Sequence, residues 1–92
     1  MILVDANLLI YATIADLPQH RASFAWLIER LAGPHRVGMP WPSLLGFLRV
    51  TTNPRAFQAP LTLEDAWNQV MEWLDSDVVW SPAPTARHAT IL

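Results

Sequence analysis

The chain has 92 residues, 52% of them apolar, and a formal net charge of −2 with no lysine. This length allows one small domain, and the acidic balance excludes a general polyanion-binding protein. The sequence contains no cysteine, which excludes disulfides and thiolate metal sites and fits a reducing compartment, so we expect a cytoplasmic protein. No apolar run reaches membrane-spanning length, and Asp5 interrupts an N-terminal run without basic residues, so neither a signal peptide nor membrane association is expected.

The first predicted element is a strand over residues 2–4, which runs directly into Asp5. A short, wholly apolar run of this kind is typical of a strand buried on both faces. Asp5 would then lie at the carboxyl edge of the sheet, where open α/β sheets bind their ligands. Two interpretations of Asp5 remain equally open from these residues alone: a carboxylate placed for chemistry, or a cap of the helix that follows.

The rest of the chain alternates predicted helices and strands. In order, these are helices over residues 8–12 and 17–31, a strand over 36–40, helices over 42–50 and 63–74, a strand over 78–80 and a helix from residue 85. Asp16, ahead of Pro18, and Thr62, in a capping box, mark two helix starts. This alternation is typical of a parallel sheet with right-handed crossovers. Three strands make a small sheet, and the chain ends inside an apolar helical segment, so we expect an incomplete domain.

The spacing of apolar residues predicts which helix faces are buried. On the helix over 63–74, the predicted core face consists of Leu63, Ala66, Trp67, Val70, Met71 and Leu74. Trp73 falls off that face, and a partner contact or a covered surface position is predicted for it. On the helix over 17–31, the predicted core face consists of Phe24, Leu27, Ile28 and Leu31. Trp41 and Trp80 are also predicted to be core residues.

Two segments resemble the PIN-domain ribonuclease toxins of the VapC family. They are Ile-Leu-Val-Asp-Ala-Asn-Leu-Leu over residues 2–9 and Pro-Trp-Pro-Ser-Leu-Leu-Gly-Phe-Leu-Arg-Val-Thr-Thr-Asn-Pro-Arg over residues 40–55. Pro60-Leu61-Thr62 and the segment around Pro84 and His88 follow in the same order, so the resemblance covers the whole chain. It implies a PIN-like three-layer α/β/α fold with a central parallel sheet, three short strands and about five helices. It also implies one domain over residues 1–92, truncated before the strand that carries the family's later aspartates.

The resemblance implies the toxin of a type II toxin–antitoxin system, an endoribonuclease that cleaves RNA phosphodiester bonds with Mg²⁺ or Mn²⁺. Its implied partners are a VapB-like antitoxin, RNA, and either a second copy of the chain or the missing C-terminal segment. Asp5 matches the family's catalytic carboxylate, which is also its first metal ligand. A carboxylate suits this role, because Mg²⁺ is held by a few carboxylates together with water. Asn7 matches the polar position of the opening motif, where it would hydrogen-bond Asp5 or a metal-bound water, or else hold the turn between strand and helix.

Two arginines are candidate substrate-binding residues. Arg49 would contact RNA phosphate or pair with Asp5, with a solvated helix position as the alternative. Arg55 would contact RNA or merely end the loop after Asn53-Pro54.

The sequence departs from the family pattern at two places. Gly46 stands where the family usually has a glutamate, three residues before the arginine, and the family's later aspartates lie beyond Leu92. We therefore expect the 92-residue chain alone to be inactive or weakly active. The alternative function is a non-catalytic PIN remnant that binds antitoxin or associates with itself.

Overall fold

Three short parallel strands form the sheet in the computed structural model of the chain, which describes residues 2–81. The strands are β1 (Ile2–Leu3), β2 (Val37–Gly38) and β3 (Val79–Trp80), and they lie in the order β1-β2-β3. Backbone bonding continues past the strand ends, because Val4 N–H donates to Gly38 C=O and Met39 N–H donates to Trp80 C=O, each at 2.9 Å. The predicted α/β class with a parallel sheet is therefore confirmed.

Four helices connect these strands: α1 (Ala6–Thr13), α2 (His20–Ala32), α3 (Trp41–Thr51) and α4 (Leu63–Leu74). The further helix predicted from residue 85 lies outside the described residues. The predicted cap at Asp16 is wrong, since α2 starts after Gln19. The preceding residues form a tight turn in which His20 N–H donates to Leu17 C=O at 3.0 Å, and this turn delays the helix.

The two faces of the sheet differ in burial. Both crossovers step in the same direction across the sheet, so crossovers of the usual right hand place all four helices on one face. Val37 pairs in register with Ile2 and Val79 and is fully buried, as is Met39 two residues later, so this row of side chains faces the helices. The alternate row carries Leu3 and Trp80, which are both exposed, so the core position predicted for Trp80 is wrong. The described residues thus supply two of the three expected layers, the sheet and one layer of helices.

α4 buries a different face from the one predicted. Ala66, Val70 and Trp73 are buried, and the Trp73 ring packs edge-on against Phe47 with centroids 4.9 Å apart. Leu63, Trp67 and Met71 are 67%, 43% and 37% exposed, so a core position for Trp67 and a surface position for Trp73 were both wrong predictions. The apolar arc of α4 is wider than one contact with α3 can cover, and packing on Phe47 selects the side that carries Trp73.

α2 also buries a different face from the one predicted. Leu27 is buried and Leu31 is half-buried, as predicted, whereas Phe24 and Ile28 face outward. Trp41 is half-buried and packs against the core, in agreement with its predicted position. Within residues 2–81, no helix is both long and apolar enough to span a membrane.

Candidate active site

Asp5 lies between the end of β1 and the start of α1, at the carboxyl edge of the sheet. Its backbone is extended, and its carboxylate Oδ1 accepts the backbone N–H of Leu8 at 2.9 Å, which makes it the N-cap of α1. The residue is exposed, and no other hydrogen bond to this carboxylate is present within residues 2–81. The capping role is therefore real, and it leaves Oδ2 accessible at the edge where ligands bind.

Asn7 is the second residue of α1 and is exposed. In the described part of the chain its side chain makes no hydrogen bond to Asp5, although it lies on the same helical turn. Leu9 N–H reaches back to Asp5 C=O at 3.4 Å, so the backbone and the Asp5 side chain together hold the turn between strand and helix.

Gly46 lies in the middle of α3, is buried, and faces the first residue of α1. A Cβ atom on Gly46 would stand 3.1 Å from the Cβ of Ala6. The position at which the resemblance expects a glutamate therefore lies beside the neighbour of Asp5. With glycine there, α3 contributes no carboxylate to this edge of the sheet.

Arg49 and Arg55 are exposed and follow Gly46 along α3 and its connecting loop. Arg49 does not pair with Asp5, because the sole ion pair among the described residues joins Arg30 Nη2 to Glu29 Oε1 at 3.2 Å. The backbone N–H of Arg55 donates to Asn53 Oδ1 at 2.9 Å, so Asn53 shapes the loop that presents the Arg55 side chain.

Glu64 and Asp65 belong to the capping of α4. Thr62 Oγ1 accepts the backbone N–H of Asp65 at 3.0 Å, and both acidic residues occupy the first turn, where they interact favourably with the helix dipole. The sequence signal at Thr62 is thus confirmed as a helix start, and the positions of both acids are explained by that start.

The chain is similar to several ribonucleases of one family. No protein-family model matches the chain. Ribonuclease VapC33 of Mycobacterium tuberculosis is 43% identical over 91 residues, which are 99% of this chain and 64% of that protein. Ribonuclease VapC37 of the same organism is 42% identical over 92 residues, or 100% of this chain and 64% of that protein, and Ribonuclease VapC43 is 42% identical over 89 residues, or 96% and 60%.

Over nearly its whole length, this chain is similar to ribonucleases of the VapC family. It spans less than two thirds of the length of those relatives, 64% for VapC33 and VapC37 and 60% for VapC43. The resemblance predicted from the opening motif and from the segment around Gly46 is therefore confirmed. In the structure, Gly46 of α3 faces Ala6, the residue between Asp5 and Asn7 at the start of α1.

The described residues of this chain do not by themselves fit a divalent cation. Mg²⁺ and Mn²⁺ need several oxygen ligands in a compact arrangement. Residues 2–81 contain no group of three His, Cys, Asp or Glu side chains close enough to hold a metal ion. Asp5 offers a carboxylate with one oxygen already engaged by Leu8, and position 46 offers none.

One exposed surface was not predicted from the sequence. The exposed residues Leu63, Trp67 and Met71 recur every four positions and therefore form one apolar stripe along α4, here called the α4 stripe. The available signal was the width of the apolar arc, which continues from the buried face to this stripe without a polar residue between them.

Proposed function

We propose that this chain belongs to the toxin of a type II toxin–antitoxin system, and that this toxin is an endoribonuclease that cleaves RNA phosphodiester bonds. The observation that carries the proposal is the exposed Asp5 carboxylate at the carboxyl edge of the parallel sheet, held at the N-terminus of α1. Its family supports the same chemistry, because VapC33 and VapC37 are named ribonucleases. Asp5 is the proposed catalytic carboxylate, and Asn7, Arg49 and Arg55 are the proposed substrate-binding residues.

The proposed cofactor is Mg²⁺ or Mn²⁺, with Asp5 as one ligand. This residue alone does not make a site for a hard cation, which takes several oxygen ligands. We therefore propose that the 92-residue chain alone cuts RNA weakly or not at all. Full activity would require carboxylates outside residues 2–81.

The proposed protein partners are a VapB-like antitoxin and either a second copy of the chain or a segment equivalent to the unmatched third of the relatives. The α4 stripe supports a protein partner, because exposing three large apolar side chains in one row to water is unfavourable and a partner would bury them. Glu64 and Asp75 lie beside the stripe, and α4 carries no basic residue. A partner segment that combines apolar and basic residues would fit this surface best.

The test of the nuclease proposal compares the wild-type chain with Asp5→Asn on single-stranded RNA in the presence of Mn²⁺. Asparagine is as good an N-cap as aspartate, so the variant keeps α1 and removes only the anionic ligand. We expect weak, EDTA-sensitive cleavage at most, and none with Asp5→Asn. Cleavage at an undiminished rate by Asp5→Asn would overturn the assignment of Asp5.

A second candidate function is a non-catalytic module that binds antitoxin or associates with itself. Two observations favour it: the carboxylate cluster is incomplete within residues 2–81, and the α4 stripe is exposed. The two candidates differ in one result. Mn²⁺-dependent cleavage that Asp5→Asn abolishes excludes the non-catalytic module. Partner binding without any cleavage, even after a segment equivalent to the unmatched third of the relatives is added, excludes the nuclease.

A further inference from the structure

The contact between α1 and α3 is unusually close at one point. A Cβ atom on Gly46 would lie 3.1 Å from the Cβ of Ala6, which is closer than the 3.4 to 4 Å of an ordinary van der Waals contact. The backbone of Gly46 has a negative φ, so the glycine is not needed for a left-handed conformation. It is a poor helix former placed in the middle of α3, and the close approach of Ala6 supplies the reason for it.

The residue that Gly46 contacts is the one that follows Asp5. Ala6 begins α1, and Asp5 Oδ1 accepts the N–H of Leu8 in the same helical turn. The first turn of α1 therefore serves two contacts at once, one with α3 through Ala6 and one with the Asp5 carboxylate through Leu8. A shift of this turn away from α3 would carry Asp5 with it.

The rest of α1 cannot absorb such a shift easily. Leu9 and Ile10 follow in the same helix and are buried, and Phe47, the neighbour of Gly46, is fully buried in the same core. Interiors packed at this density respond to an added methyl group by moving backbone or leaving a rotamer minimum. The first turn of α1, whose Asp5 and Asn7 are exposed, is the part that has room to move.

We propose that Gly46 is a positioning residue for Asp5: the absent side chain lets α3 touch Ala6, and this contact sets the place of the Asp5 carboxylate relative to α3. The proposal rests on the proposed function only for the chemical role of Asp5. It assigns to position 46 a role in this chain that differs from that of a carboxylate ligand. Ala6 and Gly46 form a matched pair with room for one Cβ atom between the helices.

The experiment compares Gly46→Ala with the exchanged pair Ala6→Gly/Gly46→Ala, which keeps one Cβ atom at the contact. The readout is hydrogen exchange of the Leu8 amide, the donor to Asp5. We expect Gly46→Ala to speed this exchange about fivefold relative to amides of α4, the change that corresponds to loss of a cap worth about 1 kcal/mol. The exchanged pair should return it to within about twofold of wild type, because the space for one Cβ is restored.

Val70→Ala is the matched control for general loss of stability. Val70 is fully buried on α4 and its helix packs against α3 and β3, so its truncation loosens the core away from Asp5. It should leave the exchange rate of the Leu8 amide unchanged relative to amides of α2, because the substituted residue lies on α4 and would alter that reference. The proposal is wrong if Gly46→Ala leaves the Leu8 amide protected. It is also wrong if the Leu8 amide of Ala6→Gly/Gly46→Ala undergoes hydrogen exchange as fast as that of Gly46→Ala.

A second measurement separates this proposal from the proposed function. Paramagnetic broadening by Mn²⁺ of the amide resonances of Asp5 and Asn7 in the wild-type chain reports on the ligand role of Asp5. Loss of that broadening in Gly46→Ala and its return in the exchanged pair support the positioning role. If wild type shows no broadening while the exchange pattern of Leu8 holds, the contact stands and Asp5 does not hold Mn²⁺ in the 92-residue chain alone.

Discussion

Asp5 Oδ1 accepts the backbone N–H of Leu8 at 2.9 Å, so the carboxylate proposed as a metal ligand is also the cap of α1. The two roles use different oxygens of one group and are compatible. A substitution at Asp5 that removes the carboxylate removes the proposed ligand. It lowers the stability of the fold only if the new side chain cannot accept the hydrogen bond from Leu8 N–H.

Asp5→Ala should lower the free energy of unfolding by about 1 kcal/mol, because alanine leaves the Leu8 N–H without its cap, whereas Asp5→Asn should change it by only a few tenths. Urea unfolding followed by tryptophan fluorescence measures both. Any Mn²⁺-dependent RNA cleavage should vanish in both variants. Equal stability of the Ala and Asn variants would show that the cap contributes nothing.

Trp73→Ala should destabilise the chain by about 3–5 kcal/mol, since Trp73 is buried and packs edge-on against Phe47. Trp67→Ala, on the same helix but exposed, is the matched control and should cost about 1 kcal/mol or less. Thermal unfolding of the two variants side by side gives the comparison. A larger loss for Trp67 than for Trp73 would mean that α4 buries its other face.

Thr62→Ala should lower the free energy of unfolding by about 1 kcal/mol, because Thr62 Oγ1 caps α4 through the N–H of Asp65. Thr62→Ser keeps the hydroxyl and should retain most of the stability. Helicity by circular dichroism and urea midpoints distinguish the two. Identical midpoints for alanine and serine would place the cap elsewhere.

The wild-type chain should form a dimer or larger assembly in solution, since the α4 stripe exposes three large apolar side chains. Replacing Leu63 and Met71 by glutamine should shift the mass measured by light scattering toward the monomer, without loss of helicity by circular dichroism. Ala22→Gln, at an exposed position of α2, is the control and should leave the mass unchanged. A monodisperse wild-type monomer would contradict this prediction.

The order of the elements and the position of Asp5 were predictable from the sequence. Residues 2–4 form one apolar run before Asp5, and the helical pattern after it has its own cap, so the junction is marked by neighbouring residues. Thr62 and Asp65 mark the start of α4 in the same way. At Asp16 the local signal failed, because the turn that links Leu17 to His20 competes for the same residues.

The buried faces were less predictable. On α4 the apolar arc includes both Trp67 and Trp73, and periodicity alone favoured the side that carries Trp67. Contact with Phe47, which lies far away in the sequence, buries Trp73 and leaves Trp67 exposed. The PIN-type domain boundary and the site roles of Asn7, Arg49 and Arg55 remain predictions.

The sequence by itself determined the α/β class, the strand that ends at Asp5 and the family, because these depend on residues close together in the chain and on a motif that spans it. Only the tertiary structure decided which half of the α4 arc is buried and that Gly46 faces Ala6 beside Asp5. Both depend on how separate helices approach one another. That approach is governed by the volume of side chains at contacts between distant positions, and no local pattern records it.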